Sequence, residues 1–392
     1  MSFYDRYNKI KHHPYEEILA AMTVQDVDRA LNQAEPDEYD LLALLSPAAA
    51  ERLEDMAQKA RKLTIQNFGK VISLYAPLYL TDYCVNKCAY CSFSFDNDFP
   101  RRKLTALEIS QEAKALKDMG IQHVILLTGE SRIHSSVAYL TESAHILRKY
   151  ASSISIEVQP LDTEEYRQLF QAGVDGLTVY QEVYNEEIYK EIHIKGPKRN
   201  YRYRLDAPER GCQAGMRSVN IGALLGMDNW RKEVFFTALH AQYLQKRYLE
   251  TDIAVSFPRI RPNLGGFEPR AVVEDKDLVQ AMLAVRLFMP RAGITLSTRE
   301  EAELRDHLIK LGVTKMSAAS STVVGGYAAK KEDNSQFEIS DTRSVAEVKK
   351  RLKQLGYQPV FKDWDILADE EEWNDFSASR HHNGDTRAGA GV

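Results

Sequence analysis

From residue 71 the chain alternates short, β-rich apolar runs with stretches whose apolar residues recur at helical spacing. The runs predicted as strands are Val71–Leu80, Ile121–Leu127, Ser153–Gln159, Val174–Tyr180, Arg217–Gly222, Asp252–Phe257, Gly293–Leu296 and Val313–Ser317. Helices are predicted between them, among others at Ala106–Met119, Thr163–Ala172, Lys232–Leu249, Asp277–Met289 and Arg299–Leu311. β-Branched and aromatic runs fit a pleated surface, whereas an apolar face repeating every three to four residues fits a helix. Strands separated by helices imply βαβ units and a parallel sheet. Eight of them is the count of an α/β fold closed into a (β/α)8 TIM-type barrel, placed here at residues 71–330. Residues 1–70 read as a helical and polar N-terminal extension, with helix-period apolar positions in 37–47 and 48–57. The segment 331–376 reads as helical or irregular. Residues 377–392 lack apolar periodicity and read as a disordered C-terminal tail, in which His381 and His382 are bystanders.

Composition excludes more than it identifies. The formal net charge of −5 gives no basic footprint for nucleic acid. No apolar run is long enough to span a bilayer, and the N-terminus lacks the basic and apolar regions of a secretory signal. Three of the four cysteines are clustered, which argues against a disulfide scaffold and for a reducing, cytoplasmic setting.

The cluster itself is Cys84-Val-Asn-Lys-Cys88-Ala-Tyr-Cys91, a C-x3-C-x2-C spacing on one short loop. Three thiolates there can bind three irons of a cubane 4Fe–4S cluster and leave the fourth iron open to a small-molecule chelator. The competing readings are an incomplete zinc site, which would favour paired C-x2-C or histidine spacings, and three unrelated thiols. Polar residues also fall where a barrel does its chemistry, at the C-terminal ends of strands. The cysteine loop follows the first predicted strand, and Thr128-Gly129-Glu130 closes the second. Glu157 and Gln159 end the third, and Gln181-Glu182 ends the fourth.

The cysteine spacing, with the aromatic Tyr90 before its last member, resembles the radical SAM superfamily, which implies S-adenosylmethionine (SAM) on the open iron. Thr128-Gly129-Glu130 resembles that superfamily's GGE segment, whose backbone and carboxylate hold the SAM ammonium, although a threonine replaces the first glycine. Tyr201–Gly215 resembles a segment of biotin synthase, which implies that Arg204 pairs with the SAM carboxylate. The expected SAM-binding set is therefore Tyr90, Gly129, Glu130, Glu157, Glu182 and Arg204. For Glu157 an internal salt bridge is an equal alternative. Cys212 lies at no ligand spacing from the others and reads as structural.

Further runs resemble the aromatic amino-acid lyase branch of radical SAM enzymes. They are Val158–Leu161, Val179–Tyr184, His193–Lys198, Ser256–Pro262, Gly293–Glu300 and Lys315–Tyr327. Over about residues 70–330 the chain resembles the tyrosine lyases of thiamine thiazole biosynthesis. The resemblance implies cleavage of the Cα–Cβ bond of L-tyrosine to 2-iminoacetate and p-cresol, with SAM converted to 5′-deoxyadenosine and methionine. Arg299 would clamp the tyrosine carboxylate, assisted by Ser317 or Ser320; Ser297–Glu301 also reads as a helix-capping sequence. His193, Tyr180 and Arg261 are candidates to meet the phenol. The implied partners are a thiazole synthase subunit and a flavodoxin- or ferredoxin-type reductant, with residues 1–70 and 338–373 as candidate docking surfaces. Hydrogenase-maturing tyrosine lyases carry a second cluster on C-terminal cysteines, and no cysteine follows Cys212 here. A tryptophan lyase would share the carboxylate clamp. A non-catalytic iron–sulfur carrier would need neither Glu130 nor Arg204.

Overall fold

The computed structural model describes residues 2–264, 266–328 and 335–362. Its barrel strands are β1 (Val71–Thr81), β2 (His123–Thr128), β3 (Ser153–Glu157), β4 (Gly176–Glu182), β5 (Ser218–Ala223), β6 (Asp252–Ser256), β7 (Gly293–Leu296) and β8 (Lys315–Ser317). All pair in parallel and in chain order, and Ser73–Tyr75 of β1 pair with Lys315–Ser317 of β8 to close the ring. Every residue from Ala76 to Thr81 is buried. A strand sandwiched between barrel interior and outer helices has no wet face, which is why it reads as a continuous apolar run. Local sequence starts the helices cleanly. Thr105 accepts the Glu108 N–H, and the Glu108 carboxylate returns to the Thr105 N–H at 2.8 Å, opening the helix Ala106–Asp118.

Residues 1–70 are helical, and their apolar positions pack inward. The run Leu41–Leu45 is buried throughout, and its helix, Glu38–Leu45, packs with Leu53–Phe68 on the barrel helix Asp275–Phe288. A segment apolar on all sides belongs inside, whatever its charged neighbours suggest. Phe3 stacks on His240 with ring centres 4.1 Å apart. The chain as far as Phe361 is accordingly one compact unit. Two further elements escaped the sequence reading. Strand β9 (Gln358–Val360) follows the helix Val345–Gln354 and pairs with Val71–Ser73 of β1. Two short strands, Lys87–Cys88 and His193–Lys195, form an antiparallel ribbon. The expected tail, with residues 363–376, lies outside the described residues. Among the described residues no helix is long and apolar enough to cross a membrane.

One buried acid makes stability pH-dependent. Glu233 is almost fully buried and accepts the Tyr184 N–H at 2.7 Å, yet burial pushes its carboxyl up to about 8. Between the ordinary carboxylate range and that value, the fold holds a proton that the unfolded chain has lost, so stability falls as pH rises. Glu233→Gln removes this ionisation. The melting temperature of the variant should gain on that of the parent between about pH 5 and pH 8.5. Thermal melts across that range would show it, and a pH-independent difference would refute the assignment.

Candidate active site

The loop leaving β1 is shaped from within by Arg101. Its guanidinium donates to the carbonyls of Asp82, Phe93, Ser94 and Asn97 at 2.6–3.1 Å. That scaffold holds Cys84, Cys88 and Cys91 as free thiols in the wall of a cavity at the C-terminal end of the barrel. Burial pushes all three thiols up, Cys91 to about 11. Such thiols ionise only when a cation takes the place of the proton. Among the described residues, no three His, Cys, Asp or Glu side chains converge as a single ion requires. Three thiols sharing a wall without meeting at a point fit a multi-iron cluster, one sulfur per iron, better than zinc.

Next to the thiols lies a buried network of charges. Arg204 donates to Glu130 (2.8 Å), to Glu182 (3.4 Å) and to the Tyr180 carbonyl (2.7 Å). Lys198 lies 2.8 Å from Glu182 and 3.8 Å from Glu130. Burial alone would raise the Glu182 carboxyl, but Lys198 and Arg204 hold it down at about 2. Glu182 adopts φ +70° where the β4 pairing is irregular, a conformation unusual for a side-chain-bearing residue. Gly129 is required by space, since a Cβ there would stand 2.4 Å from the Tyr83 carbonyl oxygen. Tyr90 donates to His193 Nε2 at 2.9 Å. The donor direction follows because Nδ1 gives its proton to the Tyr189 carbonyl and burial keeps the ring neutral.

Farther along the same cavity the partners run out. Among the described residues, nothing hydrogen-bonds the Arg299 guanidinium, which instead lies 3.4 Å from the centre of the Phe337 ring. The Ser320 hydroxyl is buried without a partner among the described residues. Ser317 is already engaged, accepting the Thr298 N–H at 3.0 Å. Glu157 lines the cavity with no ion pair among the described residues, so the internal salt bridge is not formed. Burial, then the charge of Glu182, push its carboxyl up to about 7.

The twelve residues expected to hold the cluster, SAM or the tyrosine carboxylate all line this one cavity, which encloses about 1660 Å³ counting its open mouth. Arg299 precedes the helix Ala302–Leu308, whose N-cap is Glu301 without a side-chain cap hydrogen bond, so the predicted helix began too early. His193 is not in the cavity wall, and both its ring nitrogens are taken. Arg261 lines the cavity but pairs with Glu300 at 3.2 Å. Cys212 is buried in the helix Ala207–Gln213, away from the site. Four lining residues went unnoticed in the sequence. Asn86 donates to Glu130 at 2.8 Å and accepts the Lys198 N–H at 2.9 Å. Lys198 bridges the carboxylates, Gln336 accepts from Tyr79 (2.6 Å) and lies 3.9 Å from the Cys91 sulfur, and Phe337 covers Arg299. The only sequence signals were the place of Asn86 between two cysteines and the lysine of the run His193–Lys198.

A model described as the Radical SAM superfamily matches residues 78–237, and the Biotin and Thiamin Synthesis associated domain matches 256–358. The 2-iminoacetate synthase of Salmonella typhimurium is 42% identical over 365 residues, 93% of this chain and 97% of its own length. That of Escherichia coli is 41% identical with the same coverage. Among solved structures, the FeFe-hydrogenase maturase HydG from Carboxydothermus hydrogenoformans matches with a TM-score of 0.80 at 33% identity, over 92% of this chain and 83% of that one. With about two-fifths of its residues shared along nearly the whole length of both chains, the protein belongs to the 2-iminoacetate synthase family of radical SAM enzymes.

Proposed function

We propose that this chain is a carbon–carbon lyase that cleaves L-tyrosine at Cα–Cβ to 2-iminoacetate and p-cresol, converting SAM to 5′-deoxyadenosine and methionine, for thiamine thiazole formation. The observation that carries the reading is a single cavity whose wall holds three thiols and a guanidinium with no hydrogen-bond partner among the described residues. Cys84, Cys88 and Cys91 would hold a 4Fe–4S cluster. When bound, the cluster and SAM supply the electron and the hydrogen-abstracting radical that the reaction needs.

The chain's own residues bind, orient and exclude water. Glu130 and Arg204 offer opposite charges to the amino and carboxylate groups of SAM, exchanging the pairing they make with each other. Arg299 matches a carboxylate bidentately, and the unpartnered Ser320 hydroxyl can add a further hydrogen bond. Ser317 holds the Thr298–Arg299 turn in place. The carboxyl of Glu157, near balance between its two protonation states at neutral pH, can hydrogen-bond SAM or take a proton from the tyrosine ammonium. 2-Iminoacetate hydrolyses readily, so a thiazole synthase subunit is the expected recipient.

Asn86→Ala would leave a Glu130 oxygen and the Lys198 N–H unpaired. A lost hydrogen bond to a charged group should weaken SAM binding roughly tenfold, with iron content intact. A titration followed by the cluster's electron paramagnetic resonance (EPR) would measure it, and unchanged affinity would remove Asn86 from the site. The reading itself is tested by anaerobic reconstitution, then incubation with SAM, dithionite and tyrosine. Tyrosine-dependent p-cresol and 5′-deoxyadenosine are expected together. Deoxyadenosine without p-cresol would redirect the search to tryptophan, and neither product from a loaded cluster would overturn the lyase reading.

A further inference from the structure

The inside of a (β/α)8 barrel is ordinarily filled by layers of bulky, branched apolar side chains, each layer contributed by alternate strands. This barrel departs from that rule. Tyr75 of β1, Ser155 of β3, Asn220 of β5 and Thr295 of β7 form one such layer, and all four line the cavity. Each stands two residues before the next inward position, at Pro77, Glu157, Gly222 and Ser297. The cavity therefore continues past Glu157 into a part of the barrel walled by hydroxyls and an amide. Thr295 lies four residues before Arg299, at most about 14 Å along the backbone. One tyrosine, with a hydrogen bond at each end, fills a span of that order.

Within the layer the groups are not equally free. Ser155 and Thr295 are buried, and the Ser155 hydroxyl lies 2.9 Å from His123 Nε2. Ser317 hydrogen-bonds the Tyr75 hydroxyl. Asn220 is only half-buried, and its side-chain partner among the described residues is Ser256. The Ser256 hydroxyl accepts from the amide nitrogen at 3.1 Å and donates to the amide oxygen at 3.2 Å. A primary amide has two N–H donors and two acceptor lone pairs, so one of each is left over for a ligand. A phenol hydroxyl donates one hydrogen bond and accepts another, which matches that remainder. An indole N–H donates only, and a phenyl ring does neither.

We infer that Asn220 reads the phenol hydroxyl of the substrate and so sets a preference for tyrosine over phenylalanine and tryptophan. The inference deepens the lyase reading and rests on it, because Arg299 holding the carboxylate is what sends the ring down the barrel. Ser256 is then a positioning residue, since its two hydrogen bonds fix the plane of the amide. With phenylalanine or tryptophan bound, an amide N–H would stay unpaired away from water. That unmet bond is the source of the discrimination.

The test measures equilibrium binding of tyrosine and phenylalanine to the reconstituted enzyme and to its Asn220→Ala and Asn220→Leu variants. The parent should bind tyrosine about tenfold or more tightly than phenylalanine. In both variants that gap should shrink to within about threefold, through loss of tyrosine affinity alone. Retained iron and a phenylalanine affinity that does not fall separate this from damage to the barrel. Equal weakening for both amino acids, a gap that survives in the variants, or no gap in the parent overturns the assignment. The lyase reading fails on a different readout, the absence of p-cresol when the loaded parent enzyme receives SAM, dithionite and tyrosine.

Discussion

Cys88→Ala should leave a folded protein that holds no stable cluster and forms neither 5′-deoxyadenosine nor p-cresol. The substitution trims one buried, neutral thiol to a methyl group, a small change in a wall whose shape is set by Arg101 and the ribbon. The fold therefore survives while the donor set falls from three thiols to two. Burial makes the loss complete, because the remaining thiols are pushed upward and ionise only against bound iron. Iron content, the visible absorbance of the reconstituted protein and deoxyadenosine formation should fall together, with circular dichroism unchanged. Retained SAM cleavage would show that Cys88 is no ligand.

Arg299→Ala should separate substrate binding from SAM chemistry. The guanidinium has no competing partner among the described residues, so its full bidentate capacity is available to a carboxylate. Its removal should weaken tyrosine binding on the order of a hundredfold, given the usual strength of charge-assisted pairs. Cluster assembly and slow, tyrosine-independent deoxyadenosine formation should persist, because Cys84, Cys88, Cys91 and Arg204 lie elsewhere in the wall. Equilibrium binding of tyrosine and the ratio of p-cresol to deoxyadenosine would measure the split. An unchanged tyrosine affinity would place the carboxylate elsewhere.

How far the sequence could be read depended on whether the information was local. The barrel strands were legible because burial on both faces writes itself as an uninterrupted apolar run, as in β1. The cysteines were legible because cluster spacing is a property of one loop. Asn86 and Lys198 were not, since their roles exist only once the loop after β1 meets the ribbon strand His193–Lys195. Arg299 was found, but its helix was started three residues early because Thr298, Arg299 and Glu300 suit a helix's first turn. Which barrel helix receives the apolar run Leu41–Leu45 was not legible, because that contact joins residues far apart in the chain. Strand β9 is three residues long, below what periodicity can register.

The position of β9 changes what counts as the catalytic unit. After β8 has closed the ring, the chain returns over the cavity, where Ser340 and Asp341 donate to the Thr298 carbonyl, before it is anchored beside β1. The segment thus works as a clasp: fastened at the foot of the barrel, it presses Phe337 on Arg299 and Gln336 toward Cys91 at the top. A chain ending at Tyr327 would contain all eight barrel strands and every residue picked out from sequence. It would nevertheless lack the ring that covers Arg299 and the amide beside the Cys91 sulfur.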